Sequence, residues 1–305
     1  MGKRNYIKLA YRLIYSYFFA DRIICTYPQI KAKDHRVNLY DYHPELSSTV
    51  SDKRYNDSRY NLGDYLGFVI VEFMLEKRGL TLDSWIPGRK HMYSVGSSLL
   101  NSYQNATVWG SGVSKGGHKG FRKYLLYHPL TKLDIRAVRG PLSREVVLRF
   151  RHKCPEVYGD PAILMPLIYE PNCTKTDEVL VIPQFVTEKR FREEPPDLKM
   201  VSMNTNDYKA VIDAIASSKK VITSSLHAVI LSDAYGVPSV LFRGQGLHKR
   251  VDFKYLDYYA STGRYDIHIA DTFEEACKME PLPLPDLSSL QKGLIDTFPY
   301  DLWEY

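Results

Sequence analysis

The sequence predicts an α/β protein with two Rossmann-like domains that face a central cleft. Short apolar runs alternate with amphipathic segments from residue 37 onward, in two series separated by a polar stretch near 170–177. Such alternation is typical of parallel sheets that carry helices on both faces. The length of 305 residues also suits two domains of about 150 residues each. We expect four units: a leader at 1–36, a first domain at 37–172, a second domain at 173–285 and a C-terminal segment at 286–305.

The first series predicts four strands and two helices. The helices are expected at 65–78, where Gly79 supplies a C-terminal stop, and at 141–150, where Pro141 suits the first turn. A polar stretch separates the first strand from the first helix. The strands are predicted at 37–42, 92–95, 106–109 and 134–138.

The second series repeats this pattern. Two helices are predicted, at 207–217 and 226–235. A proline-rich connection leads to a last helix-like segment at 287–303, which we expect to cross back and pack on the first domain. The strands of this series are predicted at 179–183, 199–203, 220–223 and 239–242.

Composition limits the possible classes of function. The 41 Lys and Arg residues against 35 Asp and Glu residues give a net charge of +6, and 44% of the residues are hydrophobic, as in a folded globular protein. The chain has no nucleic-acid-binding motif, so we expect no nucleic-acid partner. No zinc-binding spacing and no disulfide framework is present, so we expect no metal, no cofactor and a reducing compartment. The four cysteines are widely spaced: Cys25, Cys154, Cys173 and Cys277.

The leader is rich in aromatic and basic residues, chiefly within residues 1–22. Its uncharged run at 13–20 is too short to span a membrane or to form a convincing signal-peptide core. Two interpretations stay open. The segment forms either a helix on an anionic membrane surface or a helix packed on its own domain. We expect a cytoplasmic protein, peripheral on the inner face of the membrane in the first case.

Two glycine-containing motifs lie at strand ends or helix starts, where ligands of α/β proteins bind. Glycine permits close approach of a ligand to the backbone, and free amides there can bind an anion or a sugar hydroxyl. Helix capping by Asn61 or Asp64 is the alternative role for the first motif. The motifs are Asn61-Leu62-Gly63-Asp64, before the first predicted helix, and Gly110-Ser111-Gly112, after the strand predicted at 106–109.

Two charged residues occupy comparable positions. Arg139 follows the strand predicted at 134–138, where a guanidinium could clamp a carboxylate or phosphate, or could simply be solvated. Asp160, in Gly159-Asp160-Pro161, offers a carboxylate at a helix entry, where a capping role competes with a catalytic one.

The most informative motif is Ser224-Ser225-Leu226-His227-Ala228, between a predicted strand and a predicted helix. Hydroxyls and free amides at a helix N-terminus favour anion binding, each dipole contact contributing about 0.3 to 1 kcal/mol. His227 lies in the first turn and can exchange a proton near neutral pH. We therefore expect a functional role for this segment.

Taken in order, these motifs resemble those of the polysaccharide pyruvyl transferase family over about residues 37–265. The block containing His227 and the Gly236-Val237-Pro238 turn after it are the most specific part, and Val251-Asp252-Phe253-Lys254 continues the match. The resemblance implies a two-domain GT-B fold. It also implies transfer of the pyruvyl group of phosphoenolpyruvate to two hydroxyls of a sugar, with a cyclic ketal as product.

By this resemblance Arg139, His227 and Lys254 correspond to the donor-binding residues of the family, with Ser224 and Ser225 beside them. We expect protonated His227 to donate to the methylene carbon or to steady the phosphate. Asp64 or Asp160 acts as the base toward the sugar hydroxyl, and the sequence does not choose between them. The expected acceptor-binding residues are Asn61, Gly63, Asp64, Gly110, Ser111 and Gly112.

Two other functions remain open. The first is a glycosyltransferase that uses a nucleotide sugar; the lack of an Asp-x-Asp pair would make it independent of metal. The second is a non-catalytic carbohydrate-binding protein beside the membrane, for which the 24 tyrosines and the basic leader would suffice. A lipid-linked oligosaccharide is the acceptor that would give the leader a use.

Overall fold

A computed structural model gives the fold of the chain. The predicted leader, the first predicted strand and the polar stretch after it lie outside the described residues, as do Val251 and Asp252. For Asp64 the description covers only the backbone. The described residues are 61–82, 91–97, 99, 106–113, 132–150, 152–176, 178–184, 187–188, 191, 196–243 and 253–304.

A three-stranded parallel sheet lies in the first half of the chain. Its order is β1 (His91–Tyr93), β2 (Ala106–Trp109) and β3 (Leu133–Ala137). Ala106 is paired with both neighbours, His91 on one side and Leu133 on the other. The central strand β2 is buried throughout because its four residues, Ala, Thr, Val and Trp, pack on both faces. All three strands lie within two residues of the predicted bounds.

A second sheet of four parallel strands lies in the second half, in the order β5-β4-β6-β7. The chain runs outward from β4 to β5 and then returns to the other side of β4. The order therefore switches direction between β4 and β6, where α/β proteins commonly bind ligands. The strands are β4 (Val179–Ile182), β5 (Lys199–Met200), β6 (Lys220–Thr223) and β7 (Ser239–Leu241).

Helices connect and cover the strands. The four predicted from sequence are present with small changes of bounds, the helix entry expected at Asp160 leads into a 3₁₀ helix at Pro161–Leu167, and α5 and α6 were not predicted. In α5 the buried face consists largely of tyrosines and an aspartate. The α-helices are α1 (Leu62–Glu76), α2 (Pro141–Arg149), α3 (Tyr208–Ser217), α4 (Leu226–Ala234), α5 (Phe253–Ser261), α6 (Phe273–Lys278) and α7 (Ser288–Asp296).

The C-terminal segment contacts the first half of the chain. The indole Nε1 of Trp109 donates to the carbonyl of Leu294 at 2.9 Å, and the Phe298 ring meets the Trp109 ring edge-on at 4.9 Å. Farther along, Arg78 lies over the Tyr300 ring. Helix α7 ends at Asp296 rather than near 303, because Pro299 interrupts the chain before a short 3₁₀ turn.

One apolar cluster includes buried side chains from both halves, among them Leu66 of α1, Leu180 of β4, Val229 of α4 and Tyr258 of α5.

The two parallel sheets and the helices between their strands confirm the mixed α/β architecture. The finer description as two Rossmann-like domains of GT-B type stays a prediction. In the described part of the chain, no helix combines the length and apolar character needed to cross a membrane.

Candidate functional site

The candidate site lies at the carboxyl ends of β4 and β6. The amide of Gln184 donates to the Ser224 hydroxyl oxygen at 2.8 Å and so joins the two loops that follow these strands. Ser225 occupies the N-cap of α4, but its side chain makes no capping bond. The first-turn amides of α4 have no acceptor within the helix, so this end of α4 favours an anion.

His227 lies in the first turn of α4 and packs against Gly63 of α1. A Cβ added to Gly63 would stand 1.8 Å from the His227 Nδ1 atom, so glycine is required there to admit the imidazole. The His227 side chain is 13% exposed. The motif that contained Gly63 thus supplies a wall of the histidine site.

Asp160 faces the same imidazole. Its Oδ2 atom lies 4.0 Å from the His227 Nε2 atom, and both atoms are buried without a hydrogen-bond partner. The other oxygen, Oδ1, accepts from the amide of Ala162 at 3.1 Å, so Asp160 also caps the 3₁₀ helix that follows. Buried polar atoms are normally paired, and two adjacent exceptions indicate a place that a ligand completes.

The charges around this pair set its protonation. Burial raises the pKa of Asp160 to about 6, and the positive charge of Arg139 opposes this rise. Burial lowers the pKa of His227 to about 3, with further lowering by the charges of Lys254 and Arg139. His227 is therefore neutral at pH 7 before a ligand binds, so the protonated imidazole expected in the reaction would have to form with the ligand in place. A bound anion would reverse this effect.

Arg139 does not point outward as an anion clamp. It is fully buried, and its Nε and Nη2 atoms each lie 3.0 Å from the Asp257 Oδ2 atom. Its Nη1 atom donates to the Ser97 hydroxyl and the Gly96 carbonyl, and Nη2 donates to the Val113 carbonyl. Four hydrogen bonds thus hold the guanidinium, in addition to its ion pair with Asp257. The predicted direct contact with the donor does not fit this arrangement, and Arg139 instead supplies a fixed positive charge.

The Gly110-Ser111-Gly112 motif was expected to offer free amides, and this prediction was wrong for both glycines. The amide of Gly110 donates to the Ala137 carbonyl at 2.9 Å, and that of Gly112 donates to the Gly96 carbonyl at 3.0 Å. Ser111 is fully buried and its hydroxyl donates to the same Gly96 carbonyl. A Cβ on Gly112 would lie 2.4 Å from the Arg139 Cζ atom, so this glycine makes room for the guanidinium.

The remaining predicted residues surround the pair less closely. Asn61 occupies the N-cap of α1 without a side-chain capping bond, and Asp64 lies one residue beyond Gly63 in the first turn of that helix. Lys254 lies in the first turn of α5, with its Nζ atom 4.7 Å from the centre of the Tyr255 ring. Sequence reasoning missed Asp257, although an aspartate among buried tyrosines is an unusual feature of α5.

The comparisons with known proteins bear on this site. A family model described as polysaccharide pyruvyl transferase matches residues 23–245, which is more than half of the chain. The chain belongs to the polysaccharide pyruvyl transferase family. It is also 25% identical over 215 residues to the uncharacterized protein L143 of Acanthamoeba polyphaga mimivirus, an alignment that covers 67% of this chain and 71% of that protein.

Membership of the polysaccharide pyruvyl transferase family implies a transferase that acts on a polysaccharide. Gly63, Asp160 and His227 lie inside the matched range, whereas Lys254 and Asp257 follow it. The residues that the structure describes include no group of three His, Cys, Asp or Glu side chains placed to hold a metal ion.

Proposed function

We propose that this protein transfers the pyruvyl group of phosphoenolpyruvate to two hydroxyls of a sugar in a lipid-linked polysaccharide precursor. The products are a cyclic pyruvate ketal and phosphate, and no cofactor takes part. One observation carries the proposal: two buried, unpartnered atoms, the His227 Nε2 and the Asp160 Oδ2, lie 4.0 Å apart at an anion-favouring helix end. Such a pair can hold and pass a proton beside a bound anion.

The charges of the site suit the donor. Phosphoenolpyruvate carries close to three negative charges, and Lys254 and Arg139 place two positive charges within electrostatic reach of His227. The first turn of α4 adds its amides, with Ser224 and Ser225 beside them. Arg139 acts at a distance, because Asp257 and three neighbouring oxygen atoms already bind its guanidinium. Lys254 and the helix end are the direct contacts.

Donor binding changes the protonation of the pair. Before binding, His227 is neutral and Asp160 is largely ionised at pH 7, as their pKa values of about 3 and about 6 require. A trianion beside them raises the pKa of both groups, so the pair takes up a proton from solvent. His227 Nε2 then holds this proton and delivers it to the methylene carbon of the donor.

The reaction balances with the groups available. Protonation of the methylene carbon yields a methyl group and a cation-like centre at the adjacent carbon. One sugar hydroxyl attacks that centre and loses its proton to Asp160, whose buried carboxylate is then the base. The C–O bond to phosphate breaks, the second hydroxyl attacks and the ketal closes. One of the two hydroxyl protons restores to the enzyme the proton that His227 gave to the methyl group, and the other leaves with the phosphate.

The acceptor binds beside the start of α1. Gly63 touches His227, and Asn61 and Asp64 flank it, so a sugar at this position would meet the donor carbon from the side of the imidazole. The buried Gly110-Ser111-Gly112 segment no longer belongs to the acceptor site, since its glycine amides bind backbone carbonyls. Asp64 remains the alternative base, because it lies next to Gly63 on the same helix turn.

The proposal is tested by incubating the full chain with phosphoenolpyruvate and a panel of lipid-linked or model galactosides, glucosides and mannosides. Phosphate release that depends on the acceptor, with formation of a pyruvate ketal on the sugar, is the expected result. Release of a nucleotide from a nucleotide sugar would replace the proposal with a glycosyltransferase. Sugar binding without release of phosphate or nucleotide would replace it with a binding protein.

A further inference from the structure

Asp257 of α5 has a buried carboxylate surrounded by donors. Its Oδ2 atom lies 3.0 Å from two nitrogens of Arg139 and accepts from the Ser143 hydroxyl at 2.6 Å. Its Oδ1 atom accepts from the Ser143 amide at 2.8 Å, so Asp257 also caps α2 from another helix. Arg139, Ser143 and Asp257 are all fully buried. The carboxylate thus joins α5 to the strand end that carries Arg139.

The backbone approaches this ion pair closely at two glycines. A Cβ on Gly140 would stand 2.0 Å from the Asp257 carbonyl oxygen, and one on Gly112 would stand 2.4 Å from the Arg139 Cζ atom. Gly112 therefore makes room for Arg139, and Gly140 makes room for Asp257. A pair that fits so closely fixes the position of the guanidinium and of the helix turn opposite it.

Helix α5 is also bound to both ends of α4. The Tyr255 hydroxyl donates to the Ser224 carbonyl at 2.8 Å, directly before the first turn of α4. The Tyr258 hydroxyl donates to Asp233 at 2.8 Å, near the other end of α4. Lys254 precedes Tyr255 on α5 and acts electrostatically on His227. Helix α5 therefore links Arg139, Lys254 and the histidine-bearing helix.

We propose that Asp257 is a positioning residue that holds the Arg139 charge and the Lys254-bearing turn of α5 in register with the His227–Asp160 pair. The proposal rests on the proposed function, because it concerns the electrostatic setting of the donor site. Asp257 touches no ligand in this account and works through Arg139. Its removal should therefore affect use of the donor more than the loss of a comparable carboxylate contact elsewhere in the chain.

The test compares Asp257→Asn with Asp213→Asn, since Asp213 of α3 is also a carboxylate bound by a side chain of another segment, the Tyr169 hydroxyl, and is not among the residues assigned to the donor site. Phosphate release is measured well below the unfolding temperature of each variant. We expect Asp257→Asn to lower kcat/KM for phosphoenolpyruvate by about 100-fold, mainly through KM, because misplaced charges weaken donor binding. Asp213→Asn should stay within about threefold of the wild type. Equal losses in both variants would overturn the proposal.

A double-mutant cycle shows whether Asp257 acts through Arg139. In an Arg139→Met background, Asp257→Asn should cost less than about threefold more in kcat/KM, because the charge that it positions is already absent. If the double variant instead lost kcat/KM by the product of the two single-variant factors, Asp257 would not act through Arg139. An inactive wild type would instead refute the proposed function, which keeps the two failures distinct.

A milder variant covers the case in which Asp257→Asn does not fold. Ser143→Ala removes one donor to the carboxylate and leaves the Arg139 ion pair in place. It should keep a cooperative thermal transition and lose about five- to tenfold in kcat/KM for phosphoenolpyruvate. Wild-type kinetics in this folded variant would overturn the positioning role.

Discussion

Two strand ends of this molecule, after β2 and after β6, each carry a segment with small polar residues, and the two segments have different environments. After β2, the two glycine amides of Gly110-Ser111-Gly112 donate to backbone carbonyls, and the serine hydroxyl donates to the Gly96 carbonyl. After β6, the segment that ends in His227 leaves a ring nitrogen unpaired opposite an unpaired carboxylate oxygen. Glycines and hydroxyls at a strand end therefore do not make a site by themselves. At the β6 end, two buried polar atoms that lie close together without a partner mark the candidate site.

The largest expected effect is at the imidazole. His227→Gln keeps a polar side chain of similar reach but cannot cycle a proton, so turnover should fall by about 100- to 10,000-fold. Phosphate release under saturating phosphoenolpyruvate gives the measurement. Ser111→Ala, at the strand end whose polar groups are satisfied, is the matched control and should stay within about twofold of the wild type. A His227→Gln variant with a near-normal rate would remove the distinction between the two strand ends.

Two glycine variants sharpen the comparison. Gly63→Ala pushes a Cβ into the imidazole, and a shift of this ring by about 1 Å should cost on the order of 100-fold in kcat/KM. Gly110→Ala must accommodate a φ of +84° and a clash with Pro161, so it should cost stability, on the order of 1–3 kcal/mol. Urea unfolding and phosphate release are measured for both. The reverse pattern, with activity lost mainly in Gly110→Ala, would assign function to the β2 end.

The pH dependence of stability separates the two members of the pair. The pKa of Asp160 is raised from 3.8 to about 6 on folding, so its contribution to the free energy of unfolding falls as pH rises through this window. The pKa of His227 is lowered from 6.5 to about 3, so its contribution rises with pH in the same window. In the wild type the two slopes oppose each other between about pH 4 and 6.

Single substitutions expose each slope. Relative to the wild type, the free energy of unfolding of His227→Gln should fall with pH by up to about 1.4 kcal/mol per unit, and that of Asp160→Asn should rise by a similar amount. Urea titrations at several values between about pH 4 and 6 provide the comparison. Parallel curves for the three proteins would mean that burial does not perturb these groups.

Local sequence patterns account for much of the fold. The described strands and the helices α1 to α4 follow from apolar periodicity, prolines and glycines, and the segment containing His227 stood out because it joins a strand to a helix. Helix α5 was not predicted, and its buried face is formed by tyrosines and Asp257 rather than by aliphatic side chains. The sequence also did not predict that Asp257 binds Arg139, because the two residues are 118 positions apart and no local pattern links them. The pKa values of Asp160 and His227 depend on burial, which only the tertiary structure provides.

The central claim is that the His227–Asp160 pair receives a trianionic donor and takes up a proton as it does so. Titration calorimetry of phosphoenolpyruvate binding at about pH 8, in two buffers of different ionisation enthalpy, measures this directly. The wild type should bind saturably with uptake of close to one proton, and His227→Gln should show a clear reduction of that uptake. Binding whose heat is independent of the buffer, or no binding of phosphoenolpyruvate, would contradict it.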